Sequence, residues 1–390
     1  MITREEIRQL AQFESPAGCA ISFYFQPQTP QNKSHREEAI MAKDLVRDAL
    51  RKAERNGTHA VLREDLEKIL TLAEGLHGNH SRGKAIFACS EQGIWRELDI
   101  PPRPEPSQIT VNSRFHLRPL VDARSGLPRT CIALVNRKKA RIFELQDTEI
   151  TQKPDLDFGP SPAVPRSDGF QGYEAGHRER HVENMTMQHF KMFAESLLML
   201  AHRDKFGTLL IGCQDDSWPE IEAQLHSDLK QKLRGRFSID VTSATPEEVR
   251  QHASRILTEE KLTEQMGLVR EVMGEAQRNA RGAVGLKHVL NALERQEVQT
   301  LLLLRGFKAE AVECTNCRHL DIRMVKTCAV CEHATRELSD VSDALVDMAL
   351  RNGADIRFID SDPEMEKAGH VAALLRFRAD QNTAEKKMAV

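Results

Sequence analysis

The chain has 390 residues, with 55 Lys and Arg against 58 Asp and Glu, for a net charge of −3. That length exceeds one ordinary core and predicts two or three domains, and 40% hydrophobic residues without a long apolar run describe a soluble globular protein with no membrane span. The near-balanced charge argues against a protein that coats nucleic acid through its overall field, and leaves local basic patches open.

The N-terminus, MITREEIRQL, predicts a helix with a capping box from Thr3 to Glu6 and lacks the basic and apolar regions of a signal peptide. A strand follows at Cys19–Phe25, then a turn-rich stretch, QPQTPQNKS, and a helix over about His35–Glu54 with Ala39, Ala42, Leu45, Val46 and Leu50 at helical spacing. A second helical region near Leu62–Leu76, the strand KAIFACS and a strand around Trp95 complete a small α/β domain over roughly 1–120. Pro101, Pro102, Pro104 and Pro106 make a stiff, extended connection.

A second segment, 127–255, opens with a hairpin: strand Cys131–Val135, basic turn Arg137-Lys138-Lys139, strand Ala140–Leu145. A loop rich in Pro, Gly and Asp fills 153–176, followed by a helix with Phe190, Phe193, Leu197 and Leu200 on one face. Gly207 ends that helix, the strand Thr208–Cys213 follows, and a further helix is expected over about Trp218–Leu233. Strand, helix, strand, helix implies a helix-covered sheet.

The third segment, 257–380, starts with a helix over Glu259–Arg278, and VGLKHVLNALERQEVQTLLLL reads as helix, turn and buried strand. Past residue 335 come a helix over Ser339–Arg351, the turn Asn352-Gly353, the strand Asp355–Ile359 and the closing strand AGHVAALLRF. Between these pieces, at 312–335, stand Cys314, Cys317, Cys328 and Cys331 as C-x2-C, ten residues, C-x2-C. Two knuckles each turn two thiolates toward one point, which is the donor set of a closed tetrahedral zinc site, structural rather than catalytic. A redox pair would need only one knuckle. Removing the array restores a continuous α/β pattern, so it reads as an insertion. Cys19, Cys89, Cys131 and Cys213 are scattered in apolar surroundings, as expected of small buried hydrophobes in the reducing cytoplasm.

The order of the third segment (long helix, GLKHVLNALERQEVQTLLLL, four-Cys insertion, a helix ending NGADIRFID, then GHVAALLRFR) resembles the third domain of the archaeal and eukaryotic class-one peptide-chain release factors and of Pelota. The other segments fall into line, so the resemblance spans about 15–380. It points to a bacterial member of that superfamily, similar to the Balon-like ribosome-hibernation factors, with three α/β domains and a zinc insertion in the third.

In that superfamily the first domain reads the decoding centre through a NIKS motif. Here Asn32-Lys33-Ser34 resembles it without the Ile, and the resemblance implies RNA contact by Asn32, Lys33, Ser34 and Arg36 without stop-codon reading. Ser34 followed by Glu37 is also a capping box, which alone accounts for the serine. The middle domain of the family carries a GGQ loop that promotes peptidyl-ester hydrolysis. The matching loop reads SDGFQGYEAGHRERH, with Gly169 and Gln171 flanking Phe170 in place of the second glycine. A bulky residue at positive φ there would cost about 1–2 kcal/mol. His177 and His181 share a helix face, but Glu179 lies off the zincin position and no third ligand follows, so Arg178 and Arg180 read as phosphate contacts. Arg137, Lys138 and Lys139 are a cleaner basic cluster for RNA, although a charged hairpin turn is often simply solvated.

The resemblance implies a monomeric, tRNA-shaped factor in the ribosomal A site, on rRNA, brought there by a translational GTPase such as elongation factor Tu. The degraded motifs favour ribosome hibernation or rescue without codon reading. Peptidyl-tRNA hydrolysis through Gln171 and binding of structured RNA away from the ribosome stay open beside it.

Overall fold

The structure, a computed structural model, describes residues 4–26, 36–55, 59–75, 83–101, 106–124, 129–146, 149–153 and 175–378. The chain is mixed α/β and divides into two compact units, Met1–Gly126 with Gln265–Val390, and Leu127–Glu264.

In the first unit the chain runs α1 (Arg4–Gln12), β1 (Ala20–Phe25), α2 (Arg36–Arg55), α3 (His59–Gly75), β2 (Gly83–Cys89), β3 (Ile94–Ile100), β4 (Gln108–Asn112) and α4 (Arg118–Arg124). The strands form one antiparallel sheet in the order β3-β2-β1-β4. β1, AISFYF, is buried along its whole length, as a central strand covered on both faces should be. α4 was not foreseen: it is short, and Pro119 sits in its first turn, where proline is tolerated.

The second unit continues with β5 (Thr130–Val135), β6 (Ala140–Gln146), β7 (Glu149–Gln152), α5 (Ala175–Asp204), β8 (Thr208–Gly212), α6 (Trp218–Gln224), α7 (Ser227–Lys232), β9 (Leu233–Phe237) and the start of α8 (Pro246–Gln277). Its sheet runs β7-β6-β5-β8-β9, parallel through β5, β8 and β9. The two-residue period of β5 places Cys131, Ala133 and Val135 in one core with Phe190, Phe193 and Leu197 of α5, and Ile132 and Leu134 in another with Val249, Ala253 and Leu257 of α8. Helices therefore cover both faces.

Two expectations fail here. The helix over Trp218–Leu233 is two helices, because Leu225 turns extended and the His226 ring accepts from Asp228 N at 3.2 Å, capping a new start. Leu233 belongs instead to the edge strand β9, where a Cβ on Gly235 would come within 2.7 Å of Ile256. The helix expected from Glu259 starts at Pro246, behind a capping box: Thr245 N donates to Glu248 Oε2 at 2.8 Å and Glu248 N to Thr245 Oγ1 at 3.3 Å.

The last third returns to the first unit with the end of α8, β10 (Gly282–Val284), α9 (Leu286–Glu294), β11 (Val298–Leu304), β12 (Ala311–Cys314), β13 (Leu320–Asp321), β14 (Thr335–Leu338), α10 (Ser342–Arg351), β15 (Asp355–Ile359), α11 (Pro363–Lys367) and β16 (Val371–Leu375). The main sheet, β10-β16-β11-β15, omits the cysteine segment, whose strands make a separate sheet, β13-β12-β14. The array is thus an insertion between β11 and α10. One apolar core joins the N-terminal and C-terminal thirds, with Ile7 and Leu10 of α1 in the same cluster as Leu345 and Val346 of α10.

Candidate functional site

The Sγ atoms of Cys314, Cys317, Cys328 and Cys331 all lie within 4.8 Å of one another. Cys314 and Cys317 each stand 3.3 Å from Cys331, and Cys317 stands 3.5 Å from Cys328. Ideal tetrahedral zinc–thiolate geometry would put the sulfurs about 3.8 Å apart, so this spread fits one soft-ligand ion.

The two knuckles are built alike. Cys314 N donates to His319 O at 2.9 Å and Cys328 N to His333 O at 2.8 Å. Arg318 and Glu332, each following the second cysteine of its knuckle, have positive φ of 64° and 60°. The amides just past this left-handed step, those of His319 and His333, face Cys317 and Cys331. Asn316 and Cys317 donate to Cys314 Sγ, and Val330 to Cys328 Sγ, each at 3.4 Å. The repeat is therefore C-x2-C-x-H, with His319 and His333 at equivalent places, a regularity readable in the sequence that the cysteine spacing alone had not drawn out.

The four sulfurs titrate unequally. The His333 amide pulls Cys331 down to about 5. Cys317, although exposed and favoured as a thiolate by the His319 amide, is pushed up to about 12 by local desolvation and the three adjacent sulfurs. A bound dication would remove that conflict by taking all four as thiolates. The scattered thiols behave differently: burial pushes Cys131 up to about 12 and Cys213 up to about 11, which makes them inert fillers of the core.

Charge anchors the module to its own unit. Glu313, only 4% exposed, receives Arg336 Nη2 at 2.5 Å and Arg318 Nη1 at 3.7 Å. Arg318 also pairs with Glu14 of the N-terminal third, and Arg114 joins Glu14 at 3.6 Å to Asp347 at 2.6 Å. His319 Nδ1 meets Glu294 Oε1 at 2.5 Å. Burial outweighs Arg114 and Arg351 at Asp347 and holds its carboxyl above the usual range. None of these arginines or acids carries a local sequence signature, because their partners lie far away along the chain.

The basic hairpin is a built turn. Asn136 Oδ1 accepts from Lys138 N at 2.9 Å and Lys139 N at 2.8 Å, and Asn136 N donates to Lys139 O at 2.9 Å. Arg137 pairs loosely with Glu220 at 3.6 Å, whereas the exposed Lys138 and Lys139 have no ion partner among the described residues. Arg141 is used structurally, donating to Ala244 O at 2.7 Å.

Asn32, Lys33, Ser34, Gly169 and Gln171 lie outside the described residues. Arg36 opens α2, and Arg178 and Arg180 fall in the first turns of α5 with His177 and His181, but their side chains lie outside the described residues too. Among the described residues the four cysteines are the one cluster able to hold a metal, and no helix is long and apolar enough to cross a membrane.

The chain thus combines an exposed basic hairpin in one unit with a paired-knuckle cysteine module in the other. Residues 116–258 match the model of bacterial archaeo-eukaryotic release factor family 10. Peptide chain release factor subunit 1 of Thermococcus kodakarensis is 25% identical over 308 residues, 70% of this chain and 73% of that protein, and its Pyrococcus abyssi counterpart aligns equally well. Over these spans the chain is similar to the archaeal release factors and to the bacterial release-factor family. Among solved structures, Archaeoglobus fulgidus Pelota is 13% identical, with 96% of this chain and 93% of that one covered and a TM-score of 0.36. The C-terminal domain of the Methanosarcina mazei release factor is 23% identical, with 34% and 94% covered and a TM-score of 0.27.

Proposed function

We propose that the protein binds the ribosomal A site as a factor that reads no codon, acting in ribosome hibernation or rescue. The observation that carries this reading is the release-factor family match over residues 116–258, a span that contains the hairpin lysines. Lys138 and Lys139, exposed and without ion partners among the described residues, meet rRNA phosphate. The first segment, 1–120, approaches the decoding centre through Lys33 and Arg36, and the loop with Gly169 and Gln171 approaches the peptidyl-transferase centre. The third segment contacts protein partners, with elongation factor Tu as the delivering GTPase. Cys314, Cys317, Cys328 and Cys331 hold a structural zinc, whose chemistry is to fix the two knuckles as one body.

Purified protein mixed with ribosomes carrying labelled peptidyl-tRNA and an empty A site tests the reading, with bound protein and released peptide scored together. Binding without release is expected, and charge reversal at Lys33 and Arg36 should weaken it. Release abolished by Gln171→Ala would turn the protein into a hydrolase, and no binding at all would remove the proposal. Native mass spectrometry of freshly purified protein should find one zinc per chain.

A further inference from the structure

Between the end of α8, the edge strand β10 and α9 lies a groove of about 500 Å3. Its floor is small and apolar, with Ala276, Ala283 and Ala292 in the lining. Gly282 makes it so: a Cβ there would sit 2.3 Å from Ala276 N, so α8 can close on the strand only over a glycine. The rim is polar. His288, Asn291 and Arg295 recur at intervals of three and four residues, which puts them on one face of α9 and its C-cap. All three are exposed, and none of their side chains has a hydrogen-bond or ion partner among the described residues. Arg378 completes the rim, held by Asn279 Oδ1 at 2.6 Å and Ala280 O at 3.3 Å, and the buried Glu297 is the one acid in the lining.

Charge alone does not explain such a site. The C-terminal ends of α8 and α9 bring partial negative charge to the groove, and with Glu297 they offset much of the two guanidiniums. A bare anion gains little there. A nucleobase needs an apolar surface, a planar group to lie against and a paired donor and acceptor for its edge, and the lining holds the three alanines, the Arg295 guanidinium and the Asn291 amide.

We infer that this groove takes an unpaired nucleotide of RNA. The base lies on the alanine floor against the planar Arg295 side chain, the Asn291 amide pairs with its edge, and Arg378 meets its phosphate. An amide in that role favours adenine. The inference does not rest on A-site binding.

Fluorescence anisotropy of the full-length protein with a labelled riboadenylate octamer tests it. Asn291→Ala and Arg295→Ala should each weaken binding about fivefold or more, and a uridylate octamer should bind more weakly than adenylate. Asn291→Trp, which fills the groove from an exposed position, should do the same, with melting temperatures unchanged in all three variants. Adenosine monophosphate competing as well as the octamer would support the base-reading groove with a free nucleotide as its ligand, and competition by the octamer alone would support RNA. The inference is overturned if the wild type binds no octamer, or if N291A and R295A bind like the wild type. A loss confined to Lys138→Glu and Lys139→Glu, or inorganic phosphate competing as well as the nucleotide, would overturn it too.

Discussion

The cysteine module and the five-stranded sheet of the second unit are held together by different physics. β5 and β8 are buried throughout, and their side chains feed apolar cores on both faces. β13 is two residues long, β14 has no fully buried residue, and the segment between them exposes Ile322, Met324 and Val330. Two of the module's few buried apolar groups are the ligand cysteines Cys314 and Cys328. A sheet can be specified by hydrophobic pattern, whereas a module this small needs a cross-link, and the paired knuckles supply the place for one.

Removing the proposed zinc should give the largest effect. In modules of this kind metal binding supplies the folding free energy, on the order of 10 kcal/mol. Chelation should therefore strip hydrogen-exchange protection from 311–338 while β11 and β16 keep theirs. Protection that survives complete metal removal would put the module on the same footing as the sheet. Next, Phe193→Ala, at a fully buried position under β5, should lower the unfolding free energy of the second unit by about 3–5 kcal/mol, read from urea denaturation.

A smaller effect belongs to the buried charges beside the module. Because the Asp347 carboxyl is held above its unfolded value, its favourable contribution is complete below the ordinary aspartate pKa, about 3.9, and is lost as pH rises through the folded pKa. Denaturation across a pH series should show Asp347→Asn lacking that loss, so the stability difference between variant and wild type should change with pH over this window. A difference that is flat in pH would mean that Asp347 keeps an ordinary pKa. Lys138→Glu with Lys139→Glu should change stability least, within about 0.5 kcal/mol, since both are exposed and unpaired among the described residues. The same pair should flatten the salt dependence of ribosome binding.

The same contrast governs what could be read in advance. The hairpin around Arg137–Lys139 and the four-cysteine cluster were legible because their signals are local: alternating apolar strands beside a polar turn, and fixed ligand spacing. β9 was not, because LRGRF has charged residues at its exposed positions and a glycine whose need comes from α8. The break at Leu225-His226 depends on a histidine cap, a weaker signal than Ser or Asp. The start of α8 is legible in Thr245-Pro246-Glu247-Glu248, although the apolar period further on is the stronger signal. The groove beside α9 was invisible, since Arg378 and Arg295 stand far apart in sequence and meet only through the order β10-β16-β11.

Occupancy of the A site is decided by competition. Ribosomes with a P-site tRNA are offered the labelled protein with the A site either vacant or filled beforehand by aminoacyl-tRNA. Saturable binding to vacant ribosomes is expected, with its loss when the A site is filled. Equal binding to both would contradict A-site occupancy.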